Sequence, residues 1–282
     1  LIHKLLTRLL PNDFFLRRRD YFEAWQAMRL PKRKAAAEDV RYALDWLRPV
    51  ACAHPLIRIG GDRDGAYLIP DDLAGIQACF SPGTDNKTSF ETELALSFAI
   101  PSLMCDGSVE RQQLQLVEGM HHFQKRWLKD YDDPTTSSLD RWVGDSPYGR
   151  TGDLLLQIDI EGGEYAALMY ASHSVLERFR IIAMELHGLE RLDDLRFLNL
   201  QFVPLMQKLA ASFDLVHLHA NNCLAAVDHY GHRVPPILEL TWLRKDRNRE
   251  ATHPPQLPHP LDVVNVNHRP LVPLQPIWGQ ES

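Results

Sequence analysis

Apolar residues recur at helical spacing at the head of the chain, at Leu1, Ile2, Leu5, Leu6, Leu9 and Leu10, until Pro11 stops the run. Tyr21, Phe22, Trp25 and Met28 make a second stripe. Val40, Ala43, Leu44 and Leu47 make a third, within a helix expected over residues 35–46. Three amphipathic helices in succession predict an N-terminal extension, residues 1–54, that docks on the neighbouring domain. The first also sets leucines beside Lys4 and Arg8, the pattern of a helix lying in a membrane interface.

After Pro55 the texture changes. Short apolar runs at 56–59, 66–69, 76–80, 102–105, 154–158, 181–184, 215–218 and 237–243 read as strands. Helical patterns at 88–98, 165–170 and 195–211 fall between them. Leu154-Leu155-Leu156-Gln157-Ile158 is nearly continuous in apolar character, as in a strand covered on both faces. Strands alternating with helices predict right-handed βαβ units, hence an α/β domain over residues 55–250 with a mostly parallel sheet. The last two strands lack a helix between them and suggest an antiparallel hairpin at the sheet edge. Pro254, Pro255, Pro258, Pro260, Pro270, Pro273 and Pro276 mark residues 251–282 as an extended tail packed on the domain.

Composition narrows the classes. With 282 residues, 45% hydrophobic and 24% charged, the chain can bury one sizeable core, which excludes collagenous, mucin-like and wholly disordered proteins. A net charge of −6 argues against a general nucleic-acid binder. Residues 1–50 carry eleven Lys/Arg against six Asp/Glu. A basic head on an acidic body is either a solvated helical face or a contact for a membrane surface or an acidic partner. Cys52, Cys79, Cys105 and Cys223 form no CxxC pair, so a zinc knuckle or disulfide framework is not expected and a reducing compartment fits. No apolar run reaches the roughly 18 residues that span a bilayer, and the start of the chain lacks a signal-peptide cleavage pattern. The expected location is the cytoplasm, with peripheral contact to the inner membrane face as an addition.

In an open parallel sheet, ligands sit outside the carboxyl ends of the strands. Ser81-Pro82-Gly83-Thr84-Asp85, Asp106, Asp159 with Glu161-Gly162-Gly163-Glu164, and Glu185 with His187 all follow proposed strands. Polar and acidic groups therefore converge on one edge. Asp106 is suited to accept hydrogen bonds from ribose hydroxyls, or is a solvated turn residue. Gly83 would let a backbone come close to a ligand. Neither GxGxxG nor a Walker lysine is present, so the expected cofactor is a nucleoside without phosphates.

The stretch Leu154-Leu155-Leu156-Gln157-Ile158-Asp159-Ile160-Glu161-Gly162-Gly163-Glu164 resembles the signature of the FkbM family of S-adenosylmethionine-dependent methyltransferases. Ser138-Leu139-Asp140-Arg141-Trp142 is similar to the family's Leu-Asp pattern before that strand. Asp64-Gly65-Ala66-Tyr67, the stretch from Ser81 to Glu91, Met184-Glu185-Leu186-His187 and His219-Ala220-Asn221-Asn222 resemble pieces of a bacterial branch. The likeness covers roughly residues 56–244. It implies a class I methyltransferase, a Rossmann-like fold of seven mostly parallel strands with the last reversed. By the same likeness Gly83 takes the place of the first glycine of the cofactor loop and Asp106 that of the ribose ligand. Asp64, Ser81 and Glu91 join them as cofactor-binding residues. Arg58 is placed either on the methionine carboxylate or in a pair with Asp62 or Asp64. The loop departs from the family in lacking its further glycines.

Methyl transfer to a hydroxyl needs in-line alignment and removal of one proton. Asp159 and Glu161 are candidates for holding the methionine amino group, orienting the acceptor or acting as base, and alternatively cap the next helix. His187 is the other candidate base, or a structural histidine. His217 and His219 share one face of a regular strand. With Asn221 and Asn222 they are candidates to grip a polyhydroxylated acceptor or a metal, or the group ties the late strands together. Two histidines without a third ligand are weak grounds for zinc, and oxygen ligands around Asp159 leave a divalent metal open. The resulting expectation is O-methyl transfer to a sugar, glycan or glycolipid precursor, the acceptor resting on family analogy. The rival readings are a non-catalytic cofactor- or partner-binding module with a degenerate methyltransferase fold, and a metal-dependent hydrolase built from Asp159, His187, His217 and His219.

Overall fold

The computed structural model describes residues 33–274 and 276–278. The two helices expected before residue 33 lie outside the described residues. The third stripe forms α1 (Ala37–Asp45), which buries Val40, Ala43 and Leu44, with Leu47 sealed just beyond. Asp39 Oδ2 accepts the Ala36 N–H at 3.0 Å and so closes the start of the helix.

β1 (Leu56–Ile59) and β2 (Tyr67–Pro70) pair antiparallel as a ribbon separate from the main sheet. The main sheet begins with β3 (Ile76–Pro82), α2 (Ser89–Phe98), β4 (Ser102–Cys105) and β5 (His121–Gln124). β6 (Trp127–Leu128) and β7 (Thr136–Ser137) form a short parallel pair, followed by α3 (Leu139–Gly144), which Ser138 caps. Then come β8 (Asp153–Ile158), α4 (Glu164–Tyr170), α5 (His173–Leu176) and β9 (Phe179–Leu186). A helical stretch follows: α6 (Leu195–Phe197), a π turn at Leu198–Phe202, and α7 (Val203–Ser212) with proline in its first turn. β10 (Phe213–Ala220), the hairpin β11 (Val227–His229) and β12 (His232–Val234), and β13 (Leu238–Arg244) complete the strands.

The main sheet runs β10-β13-β9-β8-β3-β4-β5, with β13 antiparallel to both neighbours and β3, β4, β5, β8 and β9 parallel. This is the seven-stranded, mostly parallel α/β sheet with a reversed last strand. Its period-two burial splits the core. Leu154, Leu156 and Ile158 face one side with Phe80, Trp142 and Met184, while Leu155 faces the other with Cys79, Ile181 and Phe90. Each such leucine withdrawn from water contributes about 2 kcal/mol.

The last two long strands, β10 and β13, pair antiparallel at the edge of the sheet as expected, with β10 outermost and β13 between it and β9. Leu238, Leu240, Trp242 and Leu243 bury both faces of β13, which suits an interior position. The runs at 56–59 and 66–69 do not join the main sheet; their ribbon crosses its face, where Thr241 Oγ1 donates to the Leu68 carbonyl at 2.6 Å.

β3 and β8 are neighbours. From β3 the chain moves outward to β4 and β5, and from β8 it moves the other way to β9. Their carboxyl ends therefore flank a topological switch point, where an open α/β sheet leaves a crevice. The described part of the tail lies against the domain, ending with a buried Trp278 whose Nε1 donates to Leu44 O at 3.1 Å. Among the described residues no helix is long and apolar enough to cross a membrane, and all four cysteines are free thiols.

Candidate active site

A cleft of about 540 Å³ opens at the switch point, and both Asp106 and Asp159 line it. Gly83 forms the turn between them. Its φ is +83°, and a Cβ built there would lie 1.5 Å from the Asp159 carbonyl oxygen. The glycine is thus required by the crossing of the β3 and β8 loops, whether or not a ligand also approaches it. Gly83 N donates to Cys105 O at 2.9 Å, and Asp159 N donates to Pro82 O at 3.2 Å, so three strand ends are stitched together.

Asp106 is held rigidly. Its Oδ1 accepts from Ser108 N at 2.7 Å and Ser108 Oγ at 2.6 Å, and its Oδ2 accepts from Asp85 N at 3.1 Å. A carboxylate offers about four acceptor positions, so capacity remains on the cleft side. Beside it, a Cβ on Gly107 would meet the Trp127 indole at 2.2 Å. Only glycine lets that half-exposed ring lie over the strand end and line the cleft. The buried Thr84 hydroxyl and Asp159 Oδ1 have no hydrogen-bond partner within the protein, and both residues face the cleft. Orphaned polar atoms that line a crevice are groups a polar ligand can satisfy.

Behind the cleft wall, Ser81 Oγ touches Glu91 Oε1 and lies 2.6 Å from Gln157 Oε1. The Ser81 hydroxyl has a single proton to offer these two acceptors. Burial pushes the Glu91 carboxyl up, and the Ser81 contact works against that rise. Gln157 Nε2 continues the chain to Tyr67 Oη at 3.2 Å.

At the other end of the cleft, β8 and β9 deliver Asp159, Glu185 and His187. Burial raises both Asp159 and Glu185, and the proton the pair shares rests on Glu185, whose Oε1 accepts from Asn221 Nδ2 at 2.6 Å. His187 Nε2 lies 3.3 Å from Glu161 Oε2 and 3.9 Å from Asp159 Oδ1, and its Nδ1 lies 3.3 Å from Glu164 Oε1. Burial works against a charge on the imidazole, and Glu164, Asp159 and Glu161 overcome it, so its pKa rises. Glu164 also accepts Ile160 N at 2.9 Å and Gly162 N at 3.2 Å, which fixes the loop between Asp159 and the helix.

The residues beyond β9 do a different job. His217 Nε2 is 3.0 Å from Asp262 Oδ1, and His219 Nδ1 is 3.5 Å from Asp262 Oδ2. Asn222 Nδ2 donates to the Val266 and Arg269 carbonyls at 3.0 and 3.1 Å, and its Oδ1 accepts Val266 N at 2.8 Å. Asn265 Nδ2 donates to Glu239 Oε1 at 2.6 Å and to Asp64 Oδ1 at 3.3 Å. The strand ends here are tied to the tail.

Asp64, Gly83, Glu91, Asp106, Asp159 and Glu161 thus line one cleft, with His187 directly against Asp159 and Glu161. Other candidates fall elsewhere. Ser81 is behind the wall. Arg58 donates to the Gly61 and Arg63 carbonyls at 2.6 and 3.3 Å, bracing its own loop, and Asp64 pairs instead with Lys87 at 3.0 Å. Asn221, Asn222 and His219 are committed to Glu185 and the tail. His217 and His219 are claimed by Asp262, so the four-residue hydrolase set built on Asp159, His187, His217 and His219 does not assemble. Trp127 lines the cleft from outside any motif, and Lys87 and Gln157 line it from within family-like stretches where their residue types alone do not point to a site.

Residues 104–211 match the family model of the Methyltransferase FkbM domain. No curated protein matches the chain. Similar solved structures include the Thermoplasma acidophilum protein 1320, 12% identical over 62% of this chain and 80% of that one, with a TM-score of 0.30. The plantazolicin methyltransferase BpumL in complex with SAH is 8% identical over 60% of this chain and 76% of its own, with a TM-score of 0.31. A SAM dependent methyltransferase from Archaeoglobus fulgidus is 12% identical over 79% of this chain and 99% of its own, with a TM-score of 0.33.

Proposed function

We propose, from the match of residues 104–211 to the Methyltransferase FkbM domain model, that the chain is an S-adenosylmethionine-dependent O-methyltransferase acting on a hydroxyl of a sugar, glycan or glycolipid precursor. The observation that carries the reading is the meeting of Asp106 and Asp159 in one cleft at the switch point, beside orphaned polar atoms of Thr84 and Asp159. The residues fit the cofactor: Asp106 would hold the ribose hydroxyls, Trp127 would offer a face to the adenine, and the Gly83 turn would lie beneath the sulfonium end. Bound S-adenosylmethionine supplies an activated methyl group.

The chain's own residues have two tasks. They hold the acceptor oxygen in line with that methyl group, and they take up the proton the hydroxyl releases. Asp159, Glu161 and His187 stand together at the cleft end and supply the acceptor-facing groups for both. Carboxylates in this number are suited to hydrogen bonds from several hydroxyls, which supports a carbohydrate acceptor over an apolar one.

Titration calorimetry with S-adenosylhomocysteine tests the cofactor site. Wild-type protein is expected to bind at micromolar concentration, and Asp106→Ala to weaken binding about tenfold or more through two lost hydroxyl contacts. Equal affinity in both proteins overturns the site. Transfer of labelled methyl groups to pooled sugar acceptors tests the chemistry. Tight cofactor binding without transfer to any hydroxyl would favour the degenerate binding module instead.

A further inference from the structure

His187, Asp159 and Glu161 are spaced unlike a simple ion pair with a spectator. The ligand-type atoms of the three lie within 4.8 Å of one another, the arrangement among the described residues that could close round a metal ion. His187 Nε2 stands 3.3 Å from Glu161 Oε2 and 3.9 Å from Asp159 Oδ1. Donors sharing a cation through bonds of roughly 2.1 Å sit about 3 Å apart when adjacent and about 4.2 Å when opposite. Both distances fall in that interval.

Two further observations point the same way. Asp159 Oδ1, the carboxylate atom nearest the imidazole, is shut off from solvent and has no hydrogen-bond partner. Glu164, wholly buried, sets one oxygen 3.3 Å from His187 Nδ1 in a charge contact that is not a hydrogen bond, and its other oxygen has no partner. A carboxylate beside one ring nitrogen favours turning the opposite nitrogen outward as a ligand. Here that nitrogen faces Asp159 and Glu161.

We propose that Asp159, Glu161 and His187 form a divalent-cation site of manganese type at the acceptor end of the cleft. Two hard carboxylate oxygens and one imidazole nitrogen suit such an ion better than magnesium, which favours oxygen throughout, or structural zinc, which favours more nitrogen or sulfur. Three protein ligands leave coordination positions for oxygen atoms from elsewhere. On the methyltransferase reading, and resting on it for this role alone, those positions orient neighbouring hydroxyls of the acceptor and ease loss of a proton.

The test is titration of chelator-treated full-length protein with manganese(II), without cofactor or acceptor, followed by the electron paramagnetic resonance signal of the free ion. One equivalent is expected to bind. Glu161→Gln, at a side chain 86% exposed and so harmless to folding, and His187→Gln are each expected to weaken binding about tenfold or more. Absence of stoichiometric binding, or binding that neither substitution alters, overturns the site. Because methyl transfer is not the readout, a failed titration leaves the methyltransferase reading standing, and a failed methylation assay leaves the cation site standing.

Discussion

The strand ends on the two sides of the sheet use similar residues to opposite effect. At β3, β4 and β8, Asp106, Thr84 and Asp159 surround open space, and some of their polar atoms have no partner within the protein. At β10 and β13, His217, His219, Asn222 and Glu239 are equally buried, yet the tail brings them Asp262, Asn265 and the carbonyls of Val266 and Arg269. The difference lies in what surrounds the group: the tail gives each of these side chains a partner and covers it, although His219 Nε2 and Asn265 Oδ1 still have none. An acid or imidazole at a strand end is suited to a ligand where it is both unsatisfied and open to a cleft.

The largest test of this contrast is Gly83→Ala. With φ at +83° and the Asp159 carbonyl 1.5 Å from the new Cβ, the two loops must separate, at a cost of about 3 kcal/mol or more. A fall of several degrees in melting temperature and loss of S-adenosylhomocysteine binding are expected together. Unchanged values of both would mean the cleft is not built on this crossing. Next in size, Asn222→Ala removes the amide that holds the tail, at about 2 kcal/mol. Limited proteolysis should then cut after residue 250 while the cofactor still binds, and lost cofactor binding with an intact tail would merge the two sides.

A smaller effect follows from pH. Burial opposes the charge on His219, but Asp262 and Glu239 raise its pKa, so its contribution is full below about pH 6.5 and fades as pH climbs through the raised value. Burial opposes the Asp262 charge, but His217 and His219 hold its carboxyl well below the usual range, so its contribution is full above about pH 3.9 and fades only in stronger acid. His259 also faces His217 across this cluster. Tail cleavage should be slowest between about pH 4 and 6.5 and rise a few-fold towards pH 9; a flat profile would dismiss the clamp. The smallest effect is expected from Leu96→Ser on the exposed face of α2, 72% exposed and remote from both sides. It should move stability by no more than about 0.5 kcal/mol in denaturant unfolding.

Most of the sheet was legible because its inner strands are covered on both faces and so read as apolar runs, as at Leu154-Leu155-Leu156. β5 was not, because His121-His122-Phe123-Gln124 is a rim strand with one side in solvent, and its sequence has no apolar run to detect. The β11–β12 hairpin was missed because its turn places Tyr230 and Gly231 at φ of 56° and 88°, and tyrosine is not the residue expected there. In the site, Asp106, Asp159 and Glu161 were legible from their place after strands. Asp262 and Asn265 were not, since they reach the strand ends from a proline-rich segment with no periodicity. His219, Asn221 and Asn222 looked like acceptor ligands for the same reason: their partners were invisible from local sequence.

β10 is the outermost strand on its side of the sheet, and the Val50 N–H takes its Leu215 carbonyl at 2.8 Å. Two residues on, Cys52 exchanges backbone hydrogen bonds with His253 at 2.8 and 2.9 Å, so the root of the tail pins that covering segment down. An uncovered rim of this kind is a template on which a second copy can add its own strand. Trimming the chain before His253 should therefore do more than loosen a strap: it should seed fibrous self-association, visible as concentration-dependent scattering from protein whose cofactor pocket is still intact.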